Sequence, residues 1–213
     1  MPTPTLVRAA TVLACLFLAG CYKNAAPPAD APRAVISDLA EGATPLAEMP
    51  PLTATHTISS AADSAITFTG YGKIAGEQSG RFEVFSGQVV YDAASPDTTQ
   101  AEIKVDTASA KTDMEIITDN LKGRHFFEPD RHGEAIFRLT SFASSTATGI
   151  LQLHGETKQV SFPATITQDG ATLRISAQFL LNRRPFKLDY QLKGDRFIYD
   201  DVLVKIDVSA KPV

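Results

Sequence analysis

The sequence predicts an all-β fold, an eight-stranded antiparallel barrel with one short helix. Three observations lead to this prediction. Apolar side chains recur at every second position in several segments after residue 57, as they do in strands with one buried face. Turn-forming residues separate these segments at short spacing. One segment has apolar residues at helical spacing instead.

The predicted strands follow from stripes of alternating apolar residues. Val160, Phe162, Ala164 and Ile166 form one clean stripe. Further stripes lie at residues 66–68, 85–91, 101–105, 151–153, 173–181 and 202–208. Turns are predicted between strands at Ser95-Pro96-Asp97, His154-Gly155-Glu156-Thr157, Gln168-Asp169-Gly170 and Lys193-Gly194-Asp195.

The helix is predicted near residues 113–122. Thr112-Asp113-Met114-Glu115 has the spacing of a capping box, which would begin the helix. Met114, Ile117 and Leu121 then share one helical face, and Gly123 is the predicted stop.

Closure of the strands into a barrel is predicted because closure removes the exposed edges of an open sheet. A barrel of about eight strands is either filled by its own side chains or holds one ligand. Periodicity alone leaves both alternatives open.

The N-terminus has the pattern of a bacterial lipoprotein signal peptide, predicted at residues 1–20. A short apolar run follows Arg8 and is too short to span a bilayer. The run ends in Leu18-Ala19-Gly20-Cys21, which matches a lipobox, so Cys21 is the predicted lipid anchor. Tyr22 follows in place of an aspartate. By resemblance to lipoprotein sorting in enteric bacteria, this favours the outer membrane, with the protein facing the periplasm.

Residues 21–56 are rich in alanine and proline and show no sustained period, so we expect a disordered or extended tether. A short helical turn at residues 34–40 is one alternative within it. The barrel domain is then predicted at residues 57–213.

Composition excludes several classes of protein. The 213 residues carry a net charge of −4 and no basic face, which argues against nucleic-acid binding. The two cysteines, Cys15 and Cys21, both precede the predicted domain, so the sequence predicts neither a disulfide framework nor a cysteine metal site.

Four stretches of the predicted barrel, taken in order, resemble a known family. The second contains Asn120-Leu121-Lys122-Gly123-Arg124-His125-Phe126-Phe127, and the fourth begins with Asn182-Arg183. The full set comprises residues 64–68 with 80–87, 120–127 with 135–137, 149–158, and 182–188 with 204–208. Together they resemble the YceI-like family of periplasmic proteins over roughly residues 57–210.

The resemblance implies a lipocalin-like barrel with an apolar tunnel for polyisoprenoid chains, including prenyl quinones or prenyl diphosphates, and no other cofactor. The family usually has an aspartate and a glycine around the phenylalanine of its last motif. This chain has Arg184-Pro185-Phe186-Lys187 there, which adds two positive charges near the rim. Pro185 cannot donate a ladder hydrogen bond and is expected at an edge or bulge.

The apolar stripes supply the predicted ligand-binding residues. A diphosphate or quinone head group would in addition need donors at the tunnel mouth. The head-group candidates are Lys122, Arg124 and Arg183. The predicted tunnel lining is Phe68, Phe82, Val89, Phe137, Leu151, Phe162, Ile175 and Phe179.

The sequence predicts no metal site and no catalytic residue. His125 and His132 lie in one predicted loop and His154 in a turn. Asp130 and Glu134 stand near them, but nothing in the sequence fixes their geometry. Nucleophile and phosphate-loop motifs are absent, and no spacing supports Ser86-Gly87 with His125 as a hydrolytic pair.

Three functions therefore remain at this stage. The favoured one is storage or carriage of a long apolar lipid in the cell envelope, with acylated Cys21 as the contact to the membrane. A structural or interaction lipoprotein without a ligand is the alternative, and a lipid-processing hydrolase is the least favoured. Oligomeric state and ligand identity are not readable from the sequence.

Overall fold

A computed structural model describes residues 25–73, 76–189 and 197–213. Cys21 and the predicted signal peptide lie outside these residues. Within them, no helix has the length and hydropathy that crossing a bilayer requires.

Short 3-10 turns lie at Leu46–Glu48, Pro96–Thr98, Thr107–Ser109 and Arg184–Phe186. The longer elements are β1 (Val35–Ser37), β2 (His56–Ser59), β3 (Ala65–Gly72), β4 (Gly76–Phe82), β5 (Phe85–Val90), β6 (Gln100–Asp106), β7 (Ala110–Thr112), α1 (Glu115–Lys122), β8 (Glu134–Ala143), β9 (Thr146–Leu153), β10 (Glu156–Asp169), β11 (Thr172–Asn182) and β12 (Asp201–Pro212).

The strands close into an antiparallel barrel with eight positions, as predicted. Each of the first three positions is shared by two strands. At the first position, β2 and β3 both pair with β12. At the second, β5 pairs with β2 and β4 pairs with β3, and at the third, β6 pairs with β5 and β7 pairs with β4. Strands β8 to β12 fill the remaining five positions in chain order. Because β12 pairs back to β2 and β3, the strands form a closed ring.

The hairpin predicted at His154-Gly155 joins β9 to β10. Both residues have positive φ, 51° and 78°, as a two-residue type I′ turn requires. The turn at Asp169-Gly170 joins β10 to β11, whereas the one predicted at Lys193-Gly194-Asp195 lies outside the described residues.

Helix α1 ends before Gly123 as predicted, but the predicted capping box is wrong. Met114 is the N-cap, and no side chain caps the helix. The Thr112 hydroxyl instead donates to the Met114 carbonyl and lies 3.0 Å from the Thr118 hydroxyl. Strand β7 runs up to Thr112, which holds this residue in the sheet and away from the helix start.

Part of the segment predicted as a disordered or extended tether forms part of the barrel wall. Strands β10 and β11 pair with each other only between residues 164–169 and 172–177. Beyond that point they separate, and β1 pairs with β10 at residues 159–161. The Ala34 amide donates to the Leu180 carbonyl, and the Leu180 amide donates to Pro32, both at 2.8 Å. The N-terminal segment therefore closes a seam between two strands, and where a helical turn at residues 34–40 was one alternative, residues 35–37 form strand β1.

A second apolar cluster, separate from the main core, accounts for this packing. Tyr71, Leu180 and Leu203 form a buried cluster outside the main core, and Ala25 and Ala31 pack against it. Leu180 is only 1% exposed. The N-terminal segment thus removes from water an apolar patch that the barrel would otherwise present.

We expect Leu180→Ala to lower the free energy of unfolding by about 2–5 kcal/mol, because it removes a fully buried side chain. Val35→Ala, at a neighbouring exposed position, should change it by less than about 0.5 kcal/mol. Urea unfolding measures both. Leu180→Ala should cost less in a chain lacking residues 25–31, since part of its packing is already gone. Equal costs in the two chains would contradict the contact.

Candidate functional site

One end of the barrel opens into an apolar cavity of about 340 Å³. Residues 66, 68, 70 and 72 of β3 all line it, as expected for one face of a strand, and Tyr71 joins them near the end of that strand. The six steps from residue 66 to residue 72 correspond to roughly 20 Å along the strand. Helix α1 contributes Ile117 and Leu121, whereas Met114, predicted on the same face, is exposed. The volume lies within the range of small-molecule sites.

The opposite end of the barrel is closed by packed side chains. Val89, Leu173, Val208 and Ala210 are completely buried there. Two residues of the predicted tunnel lining therefore lie elsewhere. Val89 belongs to this closed core, and Ile175 pairs with Val208 beside it. Both have the expected alternation, but they stand too far along their strands to reach the cavity.

The other six predicted lining residues surround the cavity in two aromatic groups. Phe162 stacks on Phe179 at 4.1 Å between ring centroids, and Phe137 lies 5.2 Å from Phe162. Across the cavity, Phe68 lies 5.3 Å from Phe82. Leu151 completes the predicted set. Such offset and tilted ring pairs are mutually favourable and give the cavity stiff walls.

Two glycines let aromatic rings lie flat against the wall, which leaves the centre of the cavity open. A Cβ added at Gly80 would come within 2.5 Å of the Phe68 ring. A Cβ added at Gly149 would come within 2.6 Å of the Phe137 ring. Larger residues at either glycine would push these rings inward. The hollow interior therefore depends on two small residues whose role the sequence pattern did not reveal.

The three head-group candidates are not brought together at the cavity mouth. Lys122 ends α1 and does not line the cavity, and Arg124 is exposed and donates to the His125 ring at 3.2 Å. Arg183 does line the cavity, but its guanidinium is buried among protein acceptors. It donates to the carbonyls of Leu188 (2.5 Å) and Tyr199 (3.2 Å) and to the Asp200 carboxylate (3.1 Å).

Arg183 therefore joins the two chain segments that border the cavity mouth, on either side of residues 190–196. The two extra charges noted beside it are paired with acids. Arg184 contacts Asp200 at 2.8 Å, and Lys187 contacts Glu156 at 2.5 Å. Pro185 lies in the 3-10 turn just after β11, beyond the strand where a missing N–H would matter.

The sequence missed several lining residues that come from loops. Phe127 follows α1, packs 5.4 Å from Phe82 and is 9% exposed. Leu188 and Ile198 lie on either side of residues 190–196. Loops carry no alternation to predict their direction, although the apolar pair Phe126-Phe127 could have been noted as a signal. Ser86, weighed as a nucleophile, is exposed on β5 and does not line the cavity.

Comparison with known sequences places this architecture among related proteins. The sequence profile described as the YceI-like domain matches residues 57–210. The UPF0312 protein of Ectopseudomonas mendocina (strain ymp) is 33% identical over 96 residues, which are 43% of this chain and 50% of the relative. The UPF0312 protein of Pseudomonas putida (strain W619) is 30% identical over 113 residues, which are 51% and 57%. The chain thus spans about half the length of these curated relatives.

Solved structures share the fold at low sequence identity. Burkholderia cenocepacia BcnA superposes with a TM-score of 0.65 at 24% identity, covering 70% of this chain and 98% of the other. A polyisoprenoid-binding domain from Saccharophagus degradans, implicated in plant cell wall breakdown, gives 0.60 at 16% identity, covering 74% and 98%. The Campylobacter jejuni YCEI protein gives 0.57 at 20% identity, covering 63% and 84%.

Proposed function

The chain belongs to the YceI-like family, and from this premise we propose that it binds one long apolar lipid of the isoprenoid class and holds it without converting it. The observation that carries the proposal is the apolar cavity of about 340 Å³, which extends along β3 from residue 72 to residue 66 inside a closed barrel with aromatic walls. The solved domain from Saccharophagus degradans, which has the same fold, is described as polyisoprenoid-binding, and this supports the class of ligand.

Energetics favour a long chain over a small apolar molecule. Each buried methylene group contributes about 0.8 kcal/mol, whereas association costs about 4–15 kcal/mol. Several five-carbon units must enter before binding becomes useful. The cavity is open at one end and closed at the other by Val89 and Leu173, which suits a flexible hydrocarbon chain inserted from one end.

Holding rather than turnover is supported by the cavity lining. Its walls are almost wholly apolar, and the charged side chain among them, Arg183, is engaged by two carbonyls and a carboxylate. A hydrolytic reaction would need a nucleophile next to a base within the cavity. The described residues of the lining place no such pair there.

Extraction of the purified protein with organic solvent, followed by mass spectrometry, tests the ligand class. We expect a long isoprenoid or similar long-chain lipid at about one molecule per chain. Incubation with a prenyl diphosphate should give stoichiometric retention without release of phosphate. Recovery of no long-chain lipid from any preparation would contradict binding, and release of phosphate would indicate an enzyme.

We also propose that acylated Cys21 holds the domain at the outer membrane, with the cavity mouth close to the lipid surface. Ala25 packs on the cluster that contains Tyr71, which itself lines the cavity. The four residues from Cys21 to Ala25 extend at most about 14 Å. Ile116 of α1 and Phe197 are exposed apolar side chains beside the mouth residues Ile117 and Ile198. This arrangement would let a lipid pass between membrane and barrel over a short distance.

Replacing Cys21 with serine should move the protein from the membrane fraction to the soluble periplasmic fraction, because stable anchoring depends on the acyl chains. Fractionation with immunodetection measures this. Cys15→Ser, which lies before the predicted cleavage site, is the matched control and should leave the protein in the membrane fraction. A Cys21→Ser protein that stays there would contradict the anchor.

A further inference from the structure

Outside the lipid cavity, the fold brings together three residues that are distant in sequence. The side chains of Glu128, His132 and His154 offer one carboxylate and two imidazole ligand atoms, and these lie within 4.8 Å of one another. Among the residues that the structure describes, this is the one group of three potential metal ligands whose ligand atoms lie so close together. We propose that it is a binding site for a divalent transition metal ion of the zinc class.

Two unusual backbone conformations hold the ligands in place. Glu128 has a φ of 43° and His154 a φ of 51°, both in the left-handed region. The carbonyl of Glu128 accepts from the amides of Arg131 and His132, each at 2.9 Å, so the two ligands belong to one tight turn. The positive φ of His154 belongs to the type I′ hairpin turn, whereas Glu128 adopts it in the loop after α1, where a residue other than glycine does so at a cost in energy.

The His154 hairpin is shaped to receive the second imidazole. The rings of His132 and His154 lie 4.6 Å apart in an edge-to-face arrangement. Gly155 follows directly, and a Cβ there would lie 2.8 Å from Cε1 of His132. Only a glycine therefore lets the His132 ring approach the hairpin this closely.

Hydrogen bonding prepares His154 as a ligand. Its Nδ1 lies 3.2 Å from the Phe186 carbonyl oxygen, which can only accept, so Nδ1 carries the proton and Nε2 has a free lone pair. Nε2 is buried and has no hydrogen-bond partner among the residues that the structure describes. Metal-binding histidines commonly donate their other ring N–H to a backbone carbonyl in this way.

The spacing of the ligand atoms fits an ion placed between them. Nε2 of His154 lies 4.0 Å from Oε2 of Glu128, which is too far for a hydrogen bond. In tetrahedral zinc sites with bonds of about 2.0–2.1 Å, neighbouring ligand atoms are about 3.4 Å apart. Small side-chain rotations would close the difference.

The type and number of ligands select the class of ion. Two imidazoles and one carboxylate suit zinc and its neighbours, whereas calcium and magnesium prefer six or more oxygen ligands. Three protein ligands leave a fourth position for water or an anion. Arg131 lies 3.5 Å from Glu128, but this cation is 71% exposed, so the pair is weak and a metal ion can displace it.

The proposed metal site is also connected to the lipid cavity along the backbone. Phe127 and Leu153, which line the cavity, directly precede Glu128 and His154. Phe186, which holds the His154 ring, lies two residues before the lining residue Leu188. A bound metal would tie the loop after α1 to the β9–β10 hairpin at the cavity mouth. The site itself is inferred independently of the lipid that the cavity holds.

Equilibrium dialysis of the full-length, chelator-stripped chain in detergent against Zn²⁺ tests the proposal. We expect one zinc ion per chain, and with Co²⁺ a visible spectrum typical of four-coordinate cobalt. His132→Ala and Glu128→Gln should each raise the Kd for Zn²⁺ at least about tenfold, because even the loss of an outer-sphere partner costs 10- to 100-fold. Both residues are partly exposed, so these variants should fold.

His56→Ala is the matched control, since His56 lies on β2 and bonds to Thr55 and the Ala171 carbonyl. It should bind zinc like the unaltered chain. His125→Ala, next to the cluster but outside it, should do the same. Far-UV circular dichroism confirms that each variant is folded. Absence of zinc binding by the unaltered chain, unchanged affinity in His132→Ala, or an equal loss in His56→Ala would overturn the site.

Discussion

Gly70→Phe is expected to abolish retention of a long apolar lipid while the barrel stays folded. Gly70 lies on the inner face of β3 between Phe68 and Gly72, which also line the cavity. A Cβ at this position would meet nothing closer than the Gln78 carbonyl oxygen, at 3.9 Å. A phenylalanine therefore fits the backbone and directs its ring into the space that the lipid would occupy.

The effect should be large because the proposed lipid would enter the cavity from one end only. A phenylalanine ring at position 70 would lie between the mouth at Gly72 and the deeper residues Phe68 and Ile66. It would therefore exclude every isoprene unit of the lipid from the deeper part of the cavity. Aromatic residues are favoured in strands, whereas glycine is not, so the strand itself should not weaken. We expect bound lipid, measured by extraction and mass spectrometry, to fall below the detection limit.

Thr69→Phe is the matched control for this variant. Thr69 is the next residue of the same strand, and its hydroxyl bonds to Ser79 on the exterior. The same ring placed outside should leave the lipid content unchanged. A folded Gly70→Phe protein with normal lipid content, or equal losses in both variants, would show that the ligand does not occupy this cavity.

Arg183→Ala is expected to lower the free energy of unfolding by about 2–5 kcal/mol, because each of two carbonyls loses a charged donor at a cost of about 1–3 kcal/mol. The guanidinium is 3% exposed and bonds to Leu188, Tyr199 and Asp200. Its removal leaves two carbonyls without this donor and disconnects the segments on either side of residues 190–196. Urea unfolding measures the loss of stability.

Arg184→Ala is the control, because the neighbouring arginine also pairs with Asp200 but is 41% exposed. Exposed ion pairs contribute about 1 kcal/mol or less, so this variant should change stability little. Equal effects of the two substitutions would mean that charge near Asp200 matters and that burial of Arg183 does not. Because Arg183 also lines the cavity, we expect faster exchange of lipid in Arg183→Ala than in Arg184→Ala.

The sequence alone was sufficient for the parts of the fold that depend on local chemistry. The stripe of Val160, Phe162, Ala164 and Ile166 predicted a strand, because alternation reports directly which face of a strand is buried. His154-Gly155 predicted a two-residue turn, since few residues adopt positive φ in succession. The family resemblance then identified the barrel over residues 57–210, which the sequence profile of the family also matches.

The tertiary structure decided what depends on the relative positions of distant segments. Val89 and Ile175 have the alternation of lining residues but lie at the closed end, because the stagger between strands sets depth along the barrel. Arg183 had the charge of a head-group ligand, yet carbonyls from outside its own strand bury it.

The N-terminal segment shows the same limit most clearly. Its composition is that of a tether, and nothing local predicts strand β1. The position of β1 is set by the separation of β10 and β11 and by the apolar cluster around Leu180. In the sequence, only the two consecutive apolar residues Leu180-Leu181 indicate that cluster. Likewise, Glu128, His132 and His154 meet only because a loop and a hairpin converge. Alternation and turn chemistry act between neighbours in the chain, whereas seams, depth and ligand clusters are set by packing between segments far apart in sequence.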